Sequence, residues 1–144
     1  MKNWFGITAL ILSVFFLPAY GHSQPSDLRI LHVNDFHGFA EAYKPLESQE
    51  LSGGIAYLGG RVKVLRQEKP TLLLAAGDMI QGNNWANMSQ GESVIELMNA
   101  MRFDALVVGN HEFDFGQGEL KKRISGATFP VLGALEEGMK LYVR

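Results

Sequence analysis

The 144-residue chain contains no cysteine, which removes disulfides, thiolate zinc sites and cysteine nucleophiles together. Any metal must therefore be held by carboxylate, imidazole, amide or water. Charge of one sign is also scarce: 13 Lys and Arg against 15 Asp and Glu leave a formal charge of -2. The only dense basic cluster, Lys121-Lys122-Arg123, reads as a solvated helix face. A nucleic-acid polymer asks for a basic stripe that this chain does not have, so none is expected as a partner. A membrane-spanning run is missing too. The longest apolar stretch, residues 7–17, is shorter than the ~20 residues a spanning helix needs, and Pro18 closes it, so no stable membrane anchor is expected.

What is present at the N-terminus fits a secretory signal over residues 1–23: Lys2, then the apolar run, then small residues at Ala19-Tyr20-Gly21. The expected destination is periplasmic or secreted. Residues 24–27 read as a short tether, and residues 28–144 have room for one domain at most.

That remainder repeats a pattern of apolar strand, polar loop and amphipathic helix, the mark of an α/β fold with parallel strands and crossover helices. Strands are expected over residues 28–33, 71–75, 105–108 and 129–132. Ile55, Leu58, Val62 and Leu65 recur at helical spacing in the first crossover, which Pro70 closes. Val94, Ile95, Leu97, Met98 and Met101 do so in the second, and residues 117–125 form a weaker third helix. Met88, Met98 and Met101 read as core or gap filler.

Ligand-type side chains follow each of the first three strands: Asp35 and His37, then Asp78, then Asn110 and His111. Ligands bind at this carboxyl edge in open parallel sheets, where loops far apart in sequence emerge side by side. If residues 34–37 are extended, Asp35 and His37 point to one side and can share a cation, with Phe36 turned into packing. Gly77 lets the chain turn sharply before Asp78, whose two carboxylate oxygens can bridge two cations. Asn110 offers a neutral carbonyl oxygen suited to a second divalent ion. Two such ions about 3.5–4 Å apart support hydrolysis of a phosphate ester. His111 need not be a ligand: with Asp114 orienting its ring, it can neutralise charge on the phosphate or the leaving oxygen. Glu112 is expected to hold the loop by hydrogen bonds. Singly, Asp35 reads as a loop-starting hydrogen-bond acceptor and Asp78 as a turn residue or helix cap; three such loops in order outweigh that. Trp85, amid Asn83, Asn84 and Asn87, fits a substrate contact and an ordinary turn equally well, so no substrate-binding residue is assigned. His32, alone in its strand, reads as packed or surface rather than ligating.

Three stretches together carry a specific resemblance: Ile30-Leu31-His32-Val33-Asn34-Asp35-Phe36-His37-Gly38, Ala76-Gly77-Asp78-Met79-Ile80-Gln81-Gly82 and Gly109-Asn110-His111-Glu112-Phe113-Asp114-Phe115-Gly116. The chain resembles the calcineurin-like metallophosphoesterases, and within them the secreted 5′-nucleotidase branch. The resemblance implies two divalent ions, zinc, manganese or similar, with Asp35 and His37 on the first, Asp78 bridging and Asn110 on the second. It implies His111 and Asp114 as the catalytic pair. It also implies a partial metallophosphoesterase fold, the first half of an α/β/β/α sandwich, and hydrolysis of phosphate monoesters, nucleoside 5′-phosphates foremost, in the full-length form.

Two divalent ions ask for roughly ten contacts in all, more than these motifs supply. The family fills the gap with later histidine motifs and a C-terminal nucleoside-binding domain, neither of which is in this sequence. Residues 28–144 are therefore expected to be a truncated N-terminal part of the domain, weak or inactive by itself, with an exposed sheet edge and an uncovered sheet face. The alternatives are a non-catalytic metal- or partner-binding module, or a related phosphodiesterase, nucleotide-sugar hydrolase or sulfur-ester hydrolase.

Overall fold

The computed structural model describes residues 27–133; the expected signal, most of the tether and the tail from residue 134, with Glu136 and Glu137, lie outside them. Four strands form one sheet: β1 (Arg29–Val33), β2 (Thr71–Ala75), β3 (Ala105–Val107) and β4 (Val131–Leu132). They lie in sequence order and every pairing is parallel. Between them run α1 (Ile55–Glu68), the short α2 (Asn84–Met88), α3 (Glu92–Met101), a 3₁₀ turn (His111–Phe113) and α4 (Gln117–Gly126). Strands and long helices match the sequence expectation to within two residues. The short α2 and the 3₁₀ turn were not expected, because neither is long enough to show a hydrophobic period.

Sequential order has a direct consequence. Crossovers between parallel neighbours are right-handed, so stepping in one direction across the sheet delivers every connecting helix to the same face. On that face Leu73, Ala75, Leu106 and Val131 are buried, with Leu31 and Val33 packed beside them and Val62, Val94, Ile95 and Met98 covering them from the helices. The alternate residues, Ile30 and His32 on β1, Leu72 and Leu74 on β2, Val107 on β3 and Leu132 on β4, share the opposite face through the strand register. No described helix covers them: Ile30 is 61% exposed and Val107 46% exposed. Among the described residues this face is uncovered, and it is apolar except for His32.

Polar pins tie the helices down. Arg66 on α1 donates to the carbonyls of Met101 (2.6 Å) and Arg102 (2.5 Å) and to Asp104 (3.1 Å), whose same oxygen accepts the Leu73 amide at 2.7 Å. Asn99 on α3 holds the turn into β4, donating to Gly126 O and accepting from the Thr128 amide and hydroxyl. Two expectations fail on this helical layer. Arg123 is not part of a solvated face: its side chain is nearly buried between Glu92, at 3.1 Å, and Glu119, because the α3–α4 seam brings two carboxylates to it. Met88 is not core; it is 89% exposed at the end of α2, whereas Met98 is buried and Met101 packs against the core.

Candidate metal centre

The loops leaving β1 and β2 stay zipped beyond the strands. The amides of Asp35, His37 and Gly38 donate to the carbonyls of Gly77 (3.2 Å), Asp78 (3.0 Å) and Met79 (3.1 Å). The backbone here is not extended, as alternation had suggested. Asp35 (φ 51°), His37 (φ 49°) and Asp78 (φ 56°) all lie in the left-handed region, which costs a non-glycine residue of order 1–3 kcal/mol. Three such residues, each of ligand type and on adjacent loops, place that strain where the candidate chemistry is.

One ligand atom each from His37, Asp78 and His111 lie within 4.8 Å of one another, and among the described residues no other group of three His, Asp or Glu does so. The His37 ring is set by its second nitrogen: Nδ1 lies 2.9 Å from Gln81 O. A carbonyl only accepts, so Nδ1 is the donor and Nε2 is the nitrogen left to face the site. That Nε2 is 3.6 Å from Oδ1 of the exposed Asp35, whose other oxygen accepts from the Asn34 side-chain Nδ2. The His111 ring stands edge-on to His37, centroids 5.2 Å apart at 71°. Its Nδ1 bonds Asp114 Oδ2 at 2.8 Å, leaving Nε2 free. Asp114, hydrogen-bonded in this way, raises the His111 pKa above its ordinary value, with the charges of Asp114, Asp78 and Glu112 adding to the effect. Asn110 is exposed at the start of the 3₁₀ turn, and its side chain makes no capping bond there.

The second and third loops are fastened by Glu112. Its side chain is 1% exposed. Oε2 accepts the amides of Asp78 (2.9 Å) and Gly109 (2.6 Å), and Oε1 that of Met79 (2.7 Å). Asp78 Oδ1 in turn accepts the His111 amide at 3.0 Å. This packing leaves no room for a methyl group: a Cβ built on Gly109 would sit 2.3 Å from Asp78 Oδ1, and one on Gly77 2.7 Å from the Gly109 nitrogen. Glycine stands at both places because backbone meets backbone and carboxylate there.

Hard and borderline donors of this kind, two imidazole nitrogens with proton-fixed rings and one or two carboxylates, suit a divalent zinc- or manganese-like cation. The residues present fit such an ion. The calcineurin-like phosphoesterase profile matches residues 28–139.

The chain belongs to this family of phosphoesterases.

Curated relatives of this phosphoesterase include the human 5′-nucleotidase, 39% identical over 132 residues, and the snake venom 5′-nucleotidase of Crotalus adamanteus, 38% identical over 132; each match takes in 87% of this chain and 22% of the relative. The chain thus spans about a fifth of the length of these relatives. Among solved structures, the NAD nucleotidase of Haemophilus influenzae superposes with a TM-score of 0.66 at 35% identity, over 73% of this chain and 20% of that one. The 5′-nucleotidase precursor of Thermus thermophilus gives 0.65 at 35%, over 73% and 21%.

Of the residues singled out in the phosphoesterase sequence, the fold brings His37, Asp78 and His111 into one group, sets Asp35 beside His37 and bonds His111 to Asp114. Asn110 reaches the same edge but touches none of these side chains at hydrogen-bond distance in the bonds above. His32 faces the bare side of the sheet, away from the group. Asn83 and Asn87 serve the turn: Asn83 caps α2 by accepting the Trp85 amide at 3.1 Å, and Asn87 clamps Gly82 from both sides. Gln81 had no signal in the sequence, because it acts through its backbone carbonyl.

Proposed function

We propose that this chain contributes the first three loops of a two-metal phosphoesterase centre, and that the whole protein to which such a segment belongs hydrolyses phosphate monoesters, nucleoside 5′-phosphates above all. The observation that carries the reading is the convergence of His37, Asp78 and His111 from three separate strand ends to within 4.8 Å. In the reading, His37 and Asp35 would help hold one divalent cation, Asn110 a second, and Asp78, with two carboxylate oxygens, would serve both. Bound there, the cations would neutralise the phosphoryl oxygens and make a water nucleophilic at neutral pH.

The chain's own groups do the rest. Asp114 accepts from His111 Nδ1–H and keeps the imidazole turned so that Nε2 faces the site. The same bond raises the His111 pKa, which favours the charged ring; in that form Nε2–H can donate to a phosphoryl oxygen or to the departing alkoxide. As neutral imidazole, the same Nε2 is a ligand instead. Glu112 keeps the Asp78 and Gly109 backbones in register, so that the Asp78 carboxylate is positioned in advance.

Five ligand-type side chains, Asp35, His37, Asp78, Asn110 and His111, fall short of the roughly ten contacts of two ions. The reading therefore includes ligands from outside residues 27–133, and residues 28–144 as the N-terminal part of a larger catalytic unit. The names of the relatives and the signal-like start of the sequence support export to the periplasm or beyond; among the described residues no helix is long and apolar enough to cross a membrane.

Calorimetric titration of the purified chain with zinc or manganese tests this. The expected result is a single site that disappears in Asp78→Ala, with phosphatase activity far below that of ordinary enzymes. Enzyme-like turnover abolished by Asp78→Ala would show that the chain needs no further ligands; absence of any metal binding would remove the centre.

A further inference from the structure

His37 faces the candidate centre through one ring nitrogen, and a loop holds the other: Nδ1 lies 2.9 Å from Gln81 O. The residue after Gln81 has to be glycine. Gly82 has a φ of 136°, and a Cβ there would sit 2.7 Å from His37 Cβ and 2.8 Å from His37 O. The close approach that seats His37 therefore puts the least restrained residue type next to the carbonyl that orients its ring.

The short helix α2 supplies the missing restraint. Asn87 Oδ1 accepts the Gly82 amide at 2.9 Å, and Asn87 Nδ2 donates to the Gly82 carbonyl at 3.1 Å. Only one placement of the carboxamide matches donor to acceptor at both contacts. A trans peptide unit is planar, and its N–H and C=O point in opposite directions. The Gln81–Gly82 unit has its N–H on Asn87 and its carbonyl on His37 Nδ1. The Gly82–Asn83 unit has its carbonyl on Asn87 and its N–H on His37 O, at 2.8 Å. Both units that flank the glycine are thus bridged between the same two residues. Neither can rotate away from Asn87 without also leaving His37. Gly82 is exposed, so water can satisfy its amide and carbonyl in place of Asn87. What the side chain adds is direction.

We propose that Asn87 is a positioning residue for His37, holding the two peptide units around Gly82 so that the ring keeps Nε2 aimed into the candidate metal centre. This makes α2, which carries none of the ligand candidates, part of the support of that centre. The effect on metal affinity rests on the phosphoesterase reading of the site; the effect on the ring does not.

Asn87→Ala in the whole chain tests this with two readouts. In the metal-free protein, at a pH well above the ordinary histidine range, the ring nitrogen chemical shifts report which nitrogen of each histidine carries the proton. The parent should show His37 protonated on Nδ1, and the variant a mixture of both forms. His111, whose Nδ1 is held by Asp114, should stay as it is. Zinc affinity, read by calorimetric titration, should fall roughly tenfold to a hundredfold, as it does when a partner that orients a ligand is lost. Asn84→Ala, an exposed change on the same helix, should alter neither readout. A His37 ring without the Nδ1 preference in the parent, or unchanged in Asn87→Ala, overturns the proposal, and so does an unchanged zinc affinity. A matching response of His111, or the same response to Asn84→Ala, overturns it too, because the loss would then be general loosening. If the parent binds no zinc, the phosphoesterase reading of the chain fails, while the His37 ring still decides whether Asn87 sets it.

Discussion

Glu112→Gln is the sharpest perturbation that the structure offers. The carboxylate is 1% exposed and serves three amides on two loops: Asp78 and Gly109 through Oε2, Met79 through Oε1. A carboxamide has nearly the same shape but only one accepting oxygen. Placed at the Oε2 position, that oxygen keeps two bonds and turns its NH₂ group toward the Met79 amide, so donor faces donor. A hydrogen bond to a charged group contributes about 1.5–3 kcal/mol, and a buried donor without a partner costs about 1–3 kcal/mol. The terms overlap, so the expected loss is about 2–4 kcal/mol, a sizeable share of the 5–15 kcal/mol typical of a domain. Urea unfolding reads the stability, and amide hydrogen exchange reads the site: Met79 should lose protection more than Asp78 or Gly109. Zinc affinity should fall as well, because Asp78 moves with its amide. A change under about 0.5 kcal/mol, with Met79 exchange unaltered, would refute the view that Glu112 fastens the loops.

Gly109→Ala places a methyl group 2.3 Å from Asp78 Oδ1; the expected outcome is a folded chain, by circular dichroism, whose zinc site is lost. Ile30→Thr combined with Val107→Thr removes apolar surface from the bare sheet face without touching the core, so light scattering should show less self-association at unchanged unfolding midpoint. Glu119→Gln tests the α4 network. Hydrogen bonds from Lys122 first and Arg123 second hold the Glu119 pKa below its ordinary value, so its stabilisation is complete above the ordinary glutamate range and is lost as pH falls through the lowered folded value. The variant should be less stable than the parent at neutral pH and converge on it in acid, as measured by denaturation across pH.

Much of the scaffold was legible because its signals are local. Strand alternation and helical spacing act over a few residues, and burial of one side of each element enforces them; β2 and the long helices therefore fall where the pattern places them. The short α2 escaped because five residues cannot display a helical period, and Met88 misled because a residue type says little about which side of a short helix it occupies. Arg123 looked like one member of an exposed basic run. Only the α3–α4 seam turns it toward Glu92, far back in the chain.

Residue identities at the ends of recognisable strands establish the order of the three loops with ligand-type side chains, the donor set without thiolates and the family. Tertiary structure decided how those donors meet. Asp35 and His37 converge through left-handed turns rather than strand alternation, the His37 ring is set by a carbonyl 44 residues away, and Glu112 accepts from backbone amides 33 and 34 residues away from it. Among the described residues one face of the sheet is also left bare, since parallel strands taken in order send every right-handed crossover to the other side. None of these facts is written in a local pattern; each depends on segments that only the folded chain brings into contact.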